Sequence, residues 1–329
     1  MRMNIKKRIL SLLLLAVLGT TAFSACGNGS SSSKNGLKVK FIMTDANDTF
    51  RKSLLDATKA EAKSQGVSLD VVETGDDVDV QAEEVRKAKS EGYDAIMLRL
   101  TDASTALQMN VASNDLPIVY VNTQPGDSHL KADKYIYVGS REYDAGLYQA
   151  KYVYEKLNSP SKLNAIIFEG EMGHSAQIGR TKSIKEYFRK KNVDVNYVFV
   201  DTANWSDTDA KEKFGIFMKT KQAFDVVFCN NDSMALGVEE AFKEYGIDPK
   251  KVPVCGVDAT KDGCKSISDG EMSFTVLQDA KNQAKMAVKA CIALGSKKSI
   301  KDLKWHTDDN KYIYVPFKPV DSTNVSEYK

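Results

Sequence analysis

The sequence predicts an α/β protein of two doubly wound lobes, each a parallel sheet with helices on both faces. Two observations predict it. Apolar strand-like runs alternate with helix-length amphipathic stretches from Lys38 to Leu294. Strands separated by helices rather than tight turns must pair in parallel, because a parallel neighbour is reached only by a long crossover. The chain has 329 residues, 42% hydrophobic and 27% charged, which is length for two domains and the composition of a globular protein.

The elements follow in order. Lys38-Val39-Lys40-Phe41-Ile42-Met43 is a strand. Arg51 to Gln65 is a helix with Leu54, Leu55, Ala60 and Ala62 largely on one face, ended by Gly66. Ser68 to Glu73 reads as a strand, Val80 to Ser90 as a helix stopped by Gly92, and Asp94 to Leu100 as the third strand. Ala103 to Ser113 is helical and Pro117 to Val121 is a strand, after which the cycle restarts. Further strands are expected at 135–138, 162–168, 195–200, 224–229, 252–257 and 274–277. Helices are expected around 141–157, 176–190, 207–219, 233–244 and 279–294.

Residues 1–25 read as an address. Arg2, Lys6, Lys7 and Arg8 form a basic start without an acid, and Ile9 to Leu18 is an apolar run of signal-peptide length. Phe23-Ser24-Ala25-Cys26 resembles a bacterial lipobox, with Cys26 as the lipidated residue, although Phe23 replaces the usual Leu. Residues 26–37 are small and polar and read as a flexible tether. The expected location is therefore extracytoplasmic, with lipid as the only membrane contact. Without residues 1–25 the chain keeps 42 basic and 44 acidic residues, and this near-neutral body lacks a basic tract for nucleic acid. Cys229, Cys255, Cys264 and Cys291 form no C-x-x-C pair. Cys229 and Cys255 read as core residues, Cys255 and Cys264 being the nearest in sequence for a disulfide.

In doubly wound sheets the loops after the strands line the ligand crevice. Here those loops carry Asp48 and Phe50, then Arg99, then His174 and Arg180, then Trp205, Asn231, Asp258 and Gln278. Acids, amides and arginine pair with hydroxyls that both donate and accept, and a flat ring suits the C–H face of a sugar. Asp48, Asp232 and Asp258 also suit helix caps, and Asp232 is read as one. Asp45 lies close enough to Asp48 to compete for its role.

Asp201-Thr202-Ala203-Asn204-Trp205, Asn230-Asn231-Asp232-Ser233-Met234-Ala235, Gly256-Val257-Asp258-Ala259 and the run from Thr275 to Lys285 resemble the galactose/glucose-binding members of the type I periplasmic-binding-protein family. Gly170-Glu171-Met172-Gly173-His174 with Arg180, and Asn310 to Pro316, fit as well. The resemblance extends from about Val39 to Val320. It implies two lobes joined by three crossovers that close by hinge bending, at 38–116 with 280–307 and at 117–279 with 308–329. Phe50 and Trp205 would sandwich the sugar, with Asp48, His174, Arg180, Asn231 and Asp258 bonding its hydroxyls. Arg99 stands where the family has Asn, Ala176 where it has Asp, and Gln278 where it has Asn, a change that makes the cleft more positive. An acceptor for Arg99 is expected from Asp258 or Asp48, leaving a neutral hexose, or from the carboxylate of a uronic acid. Truncating either aromatic ring is expected to weaken binding and leave the fold intact.

The resemblance also implies the partners: a monosaccharide, the permease of an ABC importer and, as an open option, a chemoreceptor, with the chain a monomer. No cofactor is implied. Calcium is not expected either, because the stretch Leu157 to Asn164 that would hold it has no acid. Another small polar ligand, such as a uronic acid, a pentose or a signalling furanose, is the alternative. An enzyme is disfavoured by the absence of a G-x-S-x-G elbow, an H-E-x-x-H motif and a phosphate-cradling loop. A sugar-responsive repressor would need an N-terminal helix-turn-helix, where this chain has its signal and tether.

Overall fold

The computed structural model describes residues 36–328. The expected signal peptide, Cys26 and nearly all of the expected tether lie outside the described residues.

The chain first runs through β1 (Lys38–Met43), α1 (Thr49–Ser64), β2 (Ser68–Glu73), α2 (Val78–Ala88), β3 (Ala95–Leu98), α3 (Ala106–Ala112), β4 (Ile118–Val121) and β5 (Tyr135–Gly139). It crosses over and continues with α4 (Glu142–Lys156), β6 (Lys162–Glu169), α5 (Ser175–Lys190), β7 (Asp194–Thr202) and α6 (Asp207–Met218). β8 (Val226–Cys229), α7 (Asp232–Tyr245), β9 (Val254–Cys255), α8 (Lys261–Asp269) and β10 (Phe274–Leu277) follow. A second crossover leads back through α9 (Ala280–Gly295) to β11 (Tyr312–Tyr314), and a third leads to β12 (Lys318–Asp321).

Two six-stranded sheets result, with strand orders β11-β5-β4-β3-β1-β2 and β12-β10-β9-β8-β6-β7. Every pair is parallel except β10 with β12. Inner strands β3, β4 and β8 are buried along their whole length, as expected where helices cover both faces. Edge strands β2 and β7 alternate between exposed and partly buried residues along most of their length.

This pairing corrects the lobe limits read from the sequence. Residues 117–139 do not open the second lobe, because β4 and β5 extend the first sheet from β3. β11 joins the same sheet beside β5, so the return to the second lobe comes after Tyr314 rather than at 308. The first lobe is therefore 38–139 with 280–314. The second is 142–277 with 318–328. Three elements went unread as such: α8, whose KDGCKSISD offers few apolar positions, and the short strands β11 and β12.

Side-chain caps start the helices that flank the cleft. Asp48 accepts from Arg51 N (2.7 Å), Asn231 from Met234 N (3.0 Å), Thr260 from Gly263 N (3.0 Å) and Asp279 from Asn282 N (2.9 Å). Each such cap is worth about 1 kcal/mol. Asp232 is not the cap it was read as. It is the first residue of α7, and its buried carboxylate accepts from Thr275 Oγ1 (2.5 Å) and Thr260 N (2.7 Å), tying α7 to β10 and to the start of α8.

Cys229, Cys255, Cys264 and Cys291 are all buried, and no disulfide forms among the described residues. Cys264 Sγ donates to the Ala259 carbonyl at 3.6 Å. Among the described residues no helix is long and apolar enough to cross a membrane, and no group of three or more His, Cys, Asp or Glu is placed to hold a metal.

Candidate functional site

All nine residues singled out at the strand ends line one cleft between the lobes. Arg51, Asn122 and Ala176 complete the wall.

The first lobe supplies Asp48, Phe50, Arg51, Arg99 and Asn122. Phe50, in the first turn of α1, is 8% exposed and belongs to the core of its lobe. The Asp48 carboxylate caps α1 and pairs with Arg51 Nε, while Arg51 Nη1 reaches Asp45 at 3.2 Å. Arg99 is 3% exposed, with Nε donating to Asn122 Oδ1 at 3.1 Å and Nη1 donating to Thr44 Oγ1. Neither Asp258 nor Asp48 is its acceptor, contrary to expectation. Its carboxylate neighbour is Glu171 from the second lobe, at 3.9 Å from Nη2.

Trp205 stands at the turn between β7 and α6, where Asn204 and Trp205 both adopt left-handed backbone (φ 49° and 64°). Asn231 Nδ2 holds this turn by donating to the Trp205 carbonyl at 3.2 Å. Gly170 leaves room for the ring, since a Cβ there would lie 2.0 Å from it. His174 meets Trp205 edge-on at 5.3 Å between centroids. His174 Nδ1 accepts from Ala176 N (3.1 Å), so Nε2 carries the proton and donates to Thr123 Oγ1 (3.1 Å). Burial holds this imidazole well below its usual pKa, and it is neutral. Both ring nitrogens thus serve the protein, and the Thr123 bond joins the lobes. Gln124 N to Ser175 Oγ (2.9 Å) joins them as well.

Arg180 donates to Glu142 Oε2 (2.8 Å), the Asn230 carbonyl (2.5 Å) and Gln278 Oε1 (2.9 Å). Gln278 Nε2 is buried with no hydrogen-bond partner among the described residues. Asp258 is 8% exposed, with φ at 120°, and among the described residues no hydrogen bond ends on its carboxylate. Burial pushes its pKa well up, against the pull of Arg180. The cleft therefore offers one free amide donor and one free carboxyl acceptor, at the joint between β9, β10 and the second crossover.

Sequence reading missed Arg51, Asn122 and Glu142. Asn122 follows β4, so the strand-end rule that found the others applies to it too. Arg51 and Glu142 sit in the first turns of α1 and α4, where a charge ordinarily reads as a solvated face.

Buried acids near the site set a pH response of the ligand-free protein. Burial pushes Asp232 and Glu239 each up to about 7, so the folded state holds their protons more tightly than the unfolded chain does. Their stabilisation is complete below the unfolded carboxylate pKa near 4 and is lost as pH rises through about 7. His174 acts oppositely, costing stability as pH falls below about 6.5. From pH 8 to pH 6 the carboxyls gain more than the histidine returns, a net on the order of 2 kcal/mol or more. Urea unfolding at the two pH values will show the higher stability at pH 6, and equal midpoints would refute it.

Residues 39–299 match the periplasmic binding protein domain family. The D-galactose/methyl-galactoside binding periplasmic protein MglB of Haemophilus influenzae is 30% identical over 329 residues, covering 95% of this chain and 98% of that protein. The putative rhizopine-binding protein of Rhizobium meliloti is 28% identical over 326 residues, covering 98% and 99%. An ABC transporter solute binding protein from Bacillus halodurans, solved with bound myo-inositol, superposes with a TM-score of 0.78 at 27% identity, covering 89% of this chain and 96% of that one.

Proposed function

The chain belongs to the periplasmic binding protein family, and from that premise we propose that it captures one uncharged ring polyol, a hexose of the galactose/glucose type or a cyclitol of similar size. It is an extracytoplasmic solute-binding protein and not an enzyme, and it hands the ligand to the permease of an ABC importer. Lipid anchoring through Cys26 belongs to the same proposal.

The observation that carries the reading is the pair of aromatics, Phe50 from one lobe and Trp205 from the other, on a small cleft whose remaining wall is almost wholly polar. Between them the ring's C–H faces have apolar surface, and its hydroxyls meet Asp48, Asn231, Asp258, Gln278 and the arginines. The relatives named for galactose and rhizopine and the neighbour holding myo-inositol support a polyhydroxylated ring, without choosing among them.

Charge favours a neutral ligand. Arg51 has Asp48 and Asp45, Arg180 has Glu142 and Arg99 has Glu171, while Asp258 adds a further carboxyl. A uronate would have to displace one of these acids. Arg99 keeps the uronate as the second reading, because Glu171 is half-exposed and stands 3.9 Å away rather than in a hydrogen bond. Calorimetry with galactose, glucose, myo-inositol, ribose, galacturonate and glucuronate tests both. The proposal expects tight binding of a neutral ring, recovered unaltered, and tolerance of Arg99→Asn by the charge balance of the complex. Tight binding of a uronate that disappears in Arg99→Asn overturns the neutral reading.

A further inference from the structure

Glu142 does not line the cleft, yet it is 5% exposed and paired with a residue that does. It is the first residue of α4, directly after the first crossover. Its partner Arg180 touches the other two crossovers as well. Arg180 Nη2 donates to Gln278, at the second, and the guanidinium lies 5.9 Å from the ring of Phe317, at the third. The same guanidinium lies 5.8 Å from the ring of Trp205 in the cleft. One side chain therefore joins the cleft to all three connections between the lobes.

A second set of bonds ties the crossovers to one another without entering the cleft. Gln283 Nε2, at the start of α9, donates to Ser140 Oγ (2.9 Å), and Ser140 Oγ donates to the Val315 carbonyl (2.7 Å). All three residues are buried. Polar satisfaction is nonetheless incomplete at this junction. Glu142 Oε1, Gln278 Nε2 and Gln283 Oε1 are buried without a hydrogen-bond partner among the described residues. Such orphaned atoms raise the energy of the arrangement that holds them, so a change of lobe angle that re-partners or hydrates them is favoured by their presence. A junction that depends on Arg180 for its charge balance is biased by whatever engages Arg180 in the cleft.

We propose that Glu142 is a positioning residue: by aiming Arg180 it couples occupancy of the cleft to the three crossovers on which the lobes turn. The inference rests on the solute-binding reading and adds to it how the hinge is informed. Removing the carboxylate charge leaves the guanidinium in place by its bonds to Asn230 and Gln278 but reduces its tie to the first crossover from a charge-assisted to a neutral hydrogen bond.

The test measures affinity by calorimetry, ligand-induced compaction by small-angle X-ray scattering, and ligand-free melting temperature, using galactose and myo-inositol as probes. Glu142→Gln is expected to weaken binding about tenfold, the scale of one charge-assisted hydrogen bond, and to compact less than the wild type on adding the probe. A lower melting temperature with affinity and compaction intact means a purely structural role and overturns the proposal. Should Glu142→Gln not fold, Phe317→Leu carries the test, since it removes a ring and no charge. Reduced compaction in that variant supports the coupling, and wild-type compaction overturns it. Wild-type protein that binds and compacts with neither probe overturns the solute reading and this inference together, whereas wild-type binding that Glu142→Gln leaves unchanged overturns this inference alone.

Discussion

Trp205→Ala weakens binding of the preferred ring polyol about 30- to 100-fold, equivalent to about 2–3 kcal/mol of lost aromatic contact, and shifts ligand-free melting by only a few degrees. The two effects separate because the ring is only partly buried, packed at the margin of the second lobe's core. Phe50→Ala behaves differently. Sequence alone suggests that either ring can go without harm to the fold, but Phe50 is 8% exposed among Leu54, Met43 and their neighbours. Its truncation leaves a cavity in the first lobe and costs about 3 kcal/mol of stability besides the binding loss. Gly170→Ala makes the case for Trp205 without deleting it. The added Cβ falls 2.0 Å from the indole, which must leave its place, so affinity falls toward the Trp205→Ala value. Titrations and melting curves of the three variants check this. Unchanged affinity in Trp205→Ala and Gly170→Ala removes the indole from the site.

The alternation of strands and helices was legible because each element is locally consistent: KVKFIM reads as a buried strand, and Asp48 suits the cap it forms on α1. The partition into lobes was not. The limit carried over from the family set 117 in the second lobe, and only the pairing of β4 with β3, a long-range property, assigns that strand to the first sheet. β12 carries Pro319, tolerable because the strand lies at a sheet edge, and a local reading has no way to know that. At the site, the residues found lie at or soon after strand ends, which the topology alone brings together, and Asn122 after β4 is the one such position passed over. Glu142 was invisible for the opposite reason. An acid in the first turn of a helix is explained locally by the helix dipole, and its link to Arg180 spans 38 positions of sequence.

Asp258→Ala produces the largest loss, about 100- to 1000-fold in affinity. The carboxylate is buried, held at an unfavourable φ of 120°, and receives no hydrogen bond from the described residues, so its acceptor capacity is directed at the cleft. Two hydroxyls donating to one carboxylate are worth about 3–6 kcal/mol, each charge-assisted bond contributing about 1.5–3, and the proton lost on binding offsets part of this. The same residue gives binding a pH dependence opposite in sign to that of ligand-free stability. Burial raises the Asp258 pKa in the empty cleft, and donor hydroxyls favour the ionised form, so ligand binding expels a proton from the fraction that carries one. Affinity therefore falls on acidification, while Asp232 and Glu239 make the ligand-free fold more stable over the same range. Calorimetry in buffers of differing ionisation enthalpy measures the released proton directly. Asp258→Asn keeps the shape of the side chain and abolishes the release. Proton release that persists in this variant, or wild-type affinity in Asp258→Ala, would take the carboxyl out of the binding chemistry and leave the strained backbone at this position without a function.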